Sequence, residues 1–175
     1  MDWYSTVFEV IDMRSFSNLW FWIVLAVLWS SASHWVLGVP YDMVGRARAV
    51  GGQAARDLED LARINANRVH FIVEEAGLWL SAIVSAFLTG LALLGFVYGV
   101  ELAQAVFLLA FPMTIVGFIS IGTARRIRTV APQGEALWRQ LRMQRIWTQV
   151  VGMVSIFCTA LWGMYQNLSL GALHG

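Results

Sequence analysis

Three histidines, one cysteine, eleven carboxylates and twelve arginines make up the titratable repertoire considered first in this 175-residue chain. Function inside an apolar segment usually shows itself as a buried ionisable group, and His34 is the one that falls well within such a run. Ala26, Ser30 and His34 follow at four-residue spacing and share a helical face, with Ser31 and Ser33 beside them. Three chemistries fit: hydrogen bonding across a small-residue seam, proton or ion handling, and metal or haem ligation. An interhelical polar seam on Ser30 and His34 asks least of the chain. His70, with Glu74 one turn later, supplies a second imidazole, and a bis-histidine haem on His34 and His70 is the sharpest cofactor chemistry available. Against it, His34 should sit a turn or more deeper than His70, and no CxxCH attachment motif is present. Cys158 is a single thiol, so it makes neither an internal disulfide nor a four-ligand zinc or iron–sulfur site. No P-loop, HExxH, GxSxG or paired-carboxylate constellation occurs. The chain reads as non-enzymatic, with no cofactor and no metal.

The elements that must hold these residues are set by hydropathy. Hydrophobic residues make up 58% of the chain and charged residues 13%, against about a quarter charged in ordinary soluble domains. The apolar residues gather into runs that read as membrane spans. The fold class expected is all-α: a polytopic membrane protein with four transmembrane helices in a bundle, plus interfacial amphipathic helices. Span one is placed at 19–39, ended by Pro40. The long run 76–121 must fold back, and Gly95, Gly99 and Glu101 mark the reversal, giving span two at 75–96 and span three at 102–122. Pro112 should kink span three. Span four is 146–166, followed by a short tail, 167–175. Residues 1–17 form an outer interfacial segment with Trp3, Val7, Val10 and Ile11 near one helical face. Met1-Asp2-Trp3-Tyr4 has no basic region before a short apolar core and is not read as a signal peptide.

Eleven of the twelve arginines fall in 41–75 and 123–145, two segments that four spans put on one side. The positive-inside rule makes that side the cytoplasm, with both termini outside and the bacterial inner membrane as the location. Trp20, Trp35, Tyr98, Trp147, Trp162 and Tyr165 fall near span ends as an aromatic belt. In 41–75, Met43, Ala47, Val50, Ala54, Leu58, Leu61 and Ile64 recur at three- and four-residue steps, interrupted by Gly51-Gly52. Five arginines there face six carboxylates, a balance that suits neither nucleic acid nor bare lipid. Met43, Val50, Leu58, Leu61 and Ile64 are therefore candidates for docking a protein partner or a second copy, or for folding back on the chain's own loops. The 123–145 segment carries six arginines against Glu135. Arg125, Arg126, Arg128, Arg139, Arg142 and Arg145 are candidates for anionic headgroups of the inner leaflet, on a helix running into span four. Two ridges of small residues, Ala82–Ala86–Gly90 and Gly152–Ser155–Thr159–Gly163, mark close helix approach within one chain or between chains.

The opening Asp2-Trp-Tyr-Ser-Thr-Val-Phe-Glu-Val-Ile-Asp-Met-Arg-Ser-Phe-Ser-Asn-Leu-Trp20 and the stretch Ser33-His34-Trp35-Val-Leu-Gly-Val-Pro-Tyr-Asp42 carry a resemblance. They are similar to small bacterial inner-membrane proteins of photosynthetic and related lineages identified as components of the SufBCD complex, and the similarity runs through the whole chain. It implies association with the Suf iron–sulfur assembly machinery. With one cysteine, the compatible role is a membrane-side docking or accessory subunit using 41–75. Beside that reading stand a small homo-oligomeric transporter or channel with His34 in a polar path, and an accessory subunit of a photosynthetic or respiratory complex.

Overall fold

The computed structural model describes Phe16 and residues 18–171, the side chains of 169–171 excepted. The expected outer segment 1–17, apart from Phe16, and the end of the tail lie outside the described residues. Apart from one short hairpin, the ordered elements are helical: α1 (Leu19–His34), the hairpin β1 (Trp35–Val36) and β2 (Val39–Pro40), α2 (Tyr41–Val50), α3 (Gly52–Ala92), α4 (Glu101–Val130) and α5 (Gly134–Gly171). Three helices are long and apolar enough to cross a membrane, α3 with its π-turn extension, α4 and α5, while α1 is a shorter apolar helix. The chain is a membrane protein on that basis.

The first departure from the sequence reading is in the run 19–39. Helix α1 stops at His34, 16 residues long, or about 24 Å at helical rise. The next six residues make an antiparallel hairpin in which Trp35 faces Pro40 and Val36 faces Val39. Its two-residue loop, Leu37 and Gly38, has φ of +52° and +70°, the pair of positive values that matches strand twist. Leucine in the left-handed region is strained by about 1–2 kcal/mol. Burial offsets that cost: Val36, Leu37 and Val39 are all inside the main apolar core.

That core does not lie among the apolar spans. It joins the hairpin to Val44 and Ala47 of α2, Leu58, Ala62 and Ala66 of α3, Ala124 and Ile127 of α4, and Leu137 and Leu141 of α5. On α3 the buried positions are four residues apart, so one narrow stripe meets its neighbours, and two of the three are alanines that admit close approach. The reversal between α2 and α3 uses Gly51 and Gly52, both at positive φ. No boundary falls at 75, because α3 continues from this head for 41 residues, about 62 Å, twice the hydrocarbon thickness. Likewise α4 runs past 122 to Val130, so residues 123–130 belong to α4, while α5 starts at Gly134, runs unbroken through 146 and continues through Gly171, past the expected end of span four at 166. The head is the folded extension of the long helices at their arginine-bearing end.

Local chemistry fixes the joints. Ala131 closes α4 in the left-handed conformation, its N–H donating to the Ile127 carbonyl at 2.9 Å, and Pro132 follows. Glu59 Oε1 accepts the Gly134 N–H at 2.8 Å, a carboxylate at the N-terminus of α5 where unpaired donors and the helix dipole favour it. At the other end, α3 passes into a π-turn at Leu93–Val97 and reverses through Gly99 at φ +73°. Helix α4 continues through Pro112. Proline leaves the carbonyl four residues back without its helical donor, and the Ser155 hydroxyl of α5 donates to that Leu108 carbonyl at a long 3.4 Å.

Candidate functional site

The sequence picks out His34 and Ser30, yet the face of α1 that packs is another one. Leu25 and Trp29 are buried against Val116, with Trp22 and Ala32 at the edge, whereas Ser30 and His34 are exposed. They form no seam within the chain. The reason is geometric: three- and four-residue steps place 22, 25, 29 and 32 on one face, and four-residue steps place 26, 30 and 34 on another. The His34 ring meets the edge of its neighbour Trp35, 5.8 Å between centroids. His70 points its Nε2 at Glu74 Oε1, 2.7 Å away, and the other oxygen of Glu74 lies 3.9 Å from Arg128. The nitrogen a haem iron would use is thus taken up along α3.

The seam exists, on α5, and its residues are uncharged. Gln144, Thr148, Ser155 and Thr159 are buried polar side chains in line with Gly152, Gly163 and Gln166 at helical spacing. Gln144 Nε2 donates to Ser120 Oγ at 2.9 Å, and Ser120 donates onward to the Val116 carbonyl at 3.0 Å. The two glycines are notches for the α1 side. An added Cβ on Gly152 would stand 2.7 Å from the Trp29 ring, and one on Gly163 would stand 3.3 Å from Phe16. The Gly152–Gly163 ridge therefore closes within one chain. The companion ridge differs: Ala82 and Ala86 are exposed on α3.

Gln104 anchors the end opposite the head. It is 4% exposed and makes three hydrogen bonds. Its Nε2 donates to the Gly95 carbonyl at 2.8 Å, and its Oε1 accepts from Trp162 Nε1 at 2.9 Å and Gln166 Nε2 at 2.6 Å. Gly95 is obligatory here, since a Cβ would stand 2.9 Å from the Gln104 backbone nitrogen. Trp162 is accordingly hydrogen-bonded within the bundle. Glu101 adds a tie to Phe16, accepting its N–H at 2.8 Å. Gln104 is uncharged, so a reading of the apolar runs for ionisable groups does not single it out. A polar side chain one turn after the Glu101 break was the available signal. Gln104→Leu is expected to cost about 2 kcal/mol, at roughly 0.6–1 kcal/mol for each interhelical bond. Unfolding in mixed micelles with rising SDS measures it, and an unshifted transition would show the network to be energetically idle.

Candidate docking residues divide by burial. Leu58 is wholly inside the core, so it is unavailable to any partner, and Met43 and Leu61 pack at the core's edge. Val50 at 75% and Ile64 at 50% exposure remain outside. An amphipathic stripe states that something covers it, and here most of the cover is the chain itself. Between α3, the end of α4 and the start of α5 lies a cleft of about 240 Å³ whose lining includes Glu59, Asp60, Arg63, Asn67, Arg128 and Gln133. Arg63 pairs with Asp60 at 2.9 Å.

The six candidate headgroup arginines also separate. Arg125, Arg126 and Arg128 are exposed on α4, with Arg128 turned toward the cleft and Glu74. Arg139 and Arg142 line a smaller pocket of about 100 Å³ between α2 and α5, with Arg48 opposite. Arg145 lies over the Tyr41 ring, 4.0 Å from its centroid. Cys158 is an exposed free thiol, and no group of three or more metal-ligating side chains occurs among the described residues. Comparison with protein-family models, curated proteins and solved structures returns no match to this chain.

Proposed function

We propose that the protein is a non-enzymatic accessory protein of the bacterial inner membrane whose head docks a partner complex on the cytoplasmic side. The observation that carries this reading is continuity. Helices α3, α4 and α5 pass without interruption from apolar halves into a head with its own core, so a partner on the head is held rigidly against the bilayer. In this reading α1 is the fourth span, the arginine-rich head faces the cytoplasm by the positive-inside rule, and both termini face outward. The docking surface is the exposed remainder of the stripe, Val50 and Ile64, with the mixed charges of Asp60, Arg63 and Arg128 at the cleft. The resemblance to SufBCD-associated membrane proteins makes the iron–sulfur assembly machinery the first partner to test.

A photo-crosslinking residue placed at Val50 or Ile64 in intact cells provides the experiment. A discrete adduct with a Suf protein, absent when the same residue replaces Leu168 at the opposite end, is the expected result. Adducts of equal yield from all three positions would sink the docking assignment.

A second reading, a homo-oligomeric transporter or channel, is favoured by Ser30, His34, Ala82 and Ala86 all being exposed. A second copy would cover such small and polar surfaces from lipid. His34→Ala discriminates, since a polar path through His34 would lose transport whereas an adaptor would keep its partner.

A further inference from the structure

We infer that the pocket between α2 and α5 is a binding site for the phosphate group of an anionic lipid headgroup. The pocket is lined by Tyr41, Arg48, Glu135, Trp138, Arg139 and Arg142. Three arginines from segments about ninety residues apart in the chain thus line it together, against one carboxylate. Among the described residues none of Arg48, Arg139, Arg142 and Arg145 has a carboxylate partner; the ion pairs formed are those of Arg63, His70 and Arg128. Folding therefore gathers like charges without neutralising them, an arrangement that calls for an anion from outside the chain. Donors are ready for it. Arg48, Arg139 and Arg142 are all exposed, and the Arg48 guanidinium lies 5.9 Å from the centre of the Trp138 ring. Guanidinium forks match phosphate oxygens in geometry as well as charge.

The source of the phosphate follows from depth. On α5 the apolar stretch begins at Ile146. Arg145, Arg142 and Arg139 thus lie about 2, 6 and 11 Å outside it at helical rise, within and just beyond the headgroup layer. Tyr41 and Trp138 add rings of the kind that prefer that depth. This inference does not depend on the docking reading. It also separates the basic residues: the pocket uses Arg48, Arg139 and Arg142, while Arg125 and Arg126 are exposed on α4 and line no part of it.

Native mass spectrometry of the full-length protein in mild detergent, titrated with phosphatidylglycerol or phosphatidylcholine, tests it. The unsubstituted protein should retain phosphatidylglycerol at least about tenfold more tightly than phosphatidylcholine, and Arg48→Gln/Arg139→Gln should erase the preference. Arg125→Gln/Arg126→Gln removes the same charge outside the pocket and should preserve it. Arg48→Lys/Arg139→Lys keeps the charge without the forks and should leave a partial preference, which guards against a variant that merely misfolds. Equal retention of the two lipids, or equal losses in the pocket and control pairs, would overturn the site. Saturation by inorganic phosphate alone at millimolar concentration, with no lipid preference, would overturn the lipid source in favour of a soluble phosphate.

Discussion

Gly152→Leu should unseat α1 from the bundle. The first atom of any side chain at 152 would stand 2.7 Å from the Trp29 ring, and Trp29 is buried in a cluster with Leu25 and Val116. Overpacked sites of this kind cost about 1–3 kcal/mol and sometimes more, and leucine adds three carbons beyond the clashing one. A loss of about 3 kcal/mol is expected in SDS-driven unfolding, with Gly152→Ala near half of it. The partner is named by the geometry, so the test has a second arm: in Trp29→Ala/Gly152→Leu the losses should not add, with a coupling of about 1–2 kcal/mol. Gly117 has nothing within 4 Å of its notional Cβ, so Gly117→Ala serves as the control and should change stability by less than about 0.5 kcal/mol. If 152 and 117 behave alike, α1 does not rest on α5.

Leu58→Asp is expected to melt the head while leaving the apolar halves inserted. Leu58 is completely buried, and its neighbours in the core are aliphatic or alanine. Truncating such a leucine costs about 2–5 kcal/mol. Burying an unpaired carboxylate costs more, so the head should lose its packing outright. The signature is spatial. Trypsin should cut rapidly at the head arginines between 46 and 68 in the solubilised variant, while the protein still resists extraction from membranes at alkaline pH. Leu58→Ala should show the same cleavage at a slower rate. Loss of membrane retention together with the head would mean that the two halves fold as one unit.

The contrast between these variants explains how much of the molecule was legible in its residues. Apolar length announces helices that can cross a membrane, and the glycine pair at 51–52 and the Gly95–Glu101 break announce reversals, because both signals are local. The hairpin at 35–40 was hidden, since Trp35-Val-Leu-Gly-Val39 suits a helix end and a short buried strand equally well. Its Leu37-Gly38 loop also lacks the usual Asn-Gly signature of such turns. In the sequence the head core looks like a docking stripe, because Leu58 and Ala47 repeat at helical spacing whichever surface covers them. The site fared similarly. Charge drew attention to His34, which lies on the outer face of α1, whereas the polar contacts that hold helices together belong to Gln104, Gln144 and Ser155. An uncharged polar side chain in an apolar run costs little to miss in composition and a good deal to leave unpaired in lipid.

The unbroken helices also make the molecule a lever. Of the roughly 62 Å of α3, about half stands beyond the hydrocarbon layer, and no proline interrupts it between Gly52 and Ala92. A 10° change in tilt, of the sort a helix undergoes when bilayer thickness changes, sweeps the tip of a 30 Å arm through about 5 Å. Helices α4 and α5 are locked to α3 through the Leu58–Leu141 core, so the head moves with that arm as one body. In the docking role proposed above, whatever rests on the head would be coupled mechanically to the thickness of the membrane beneath it.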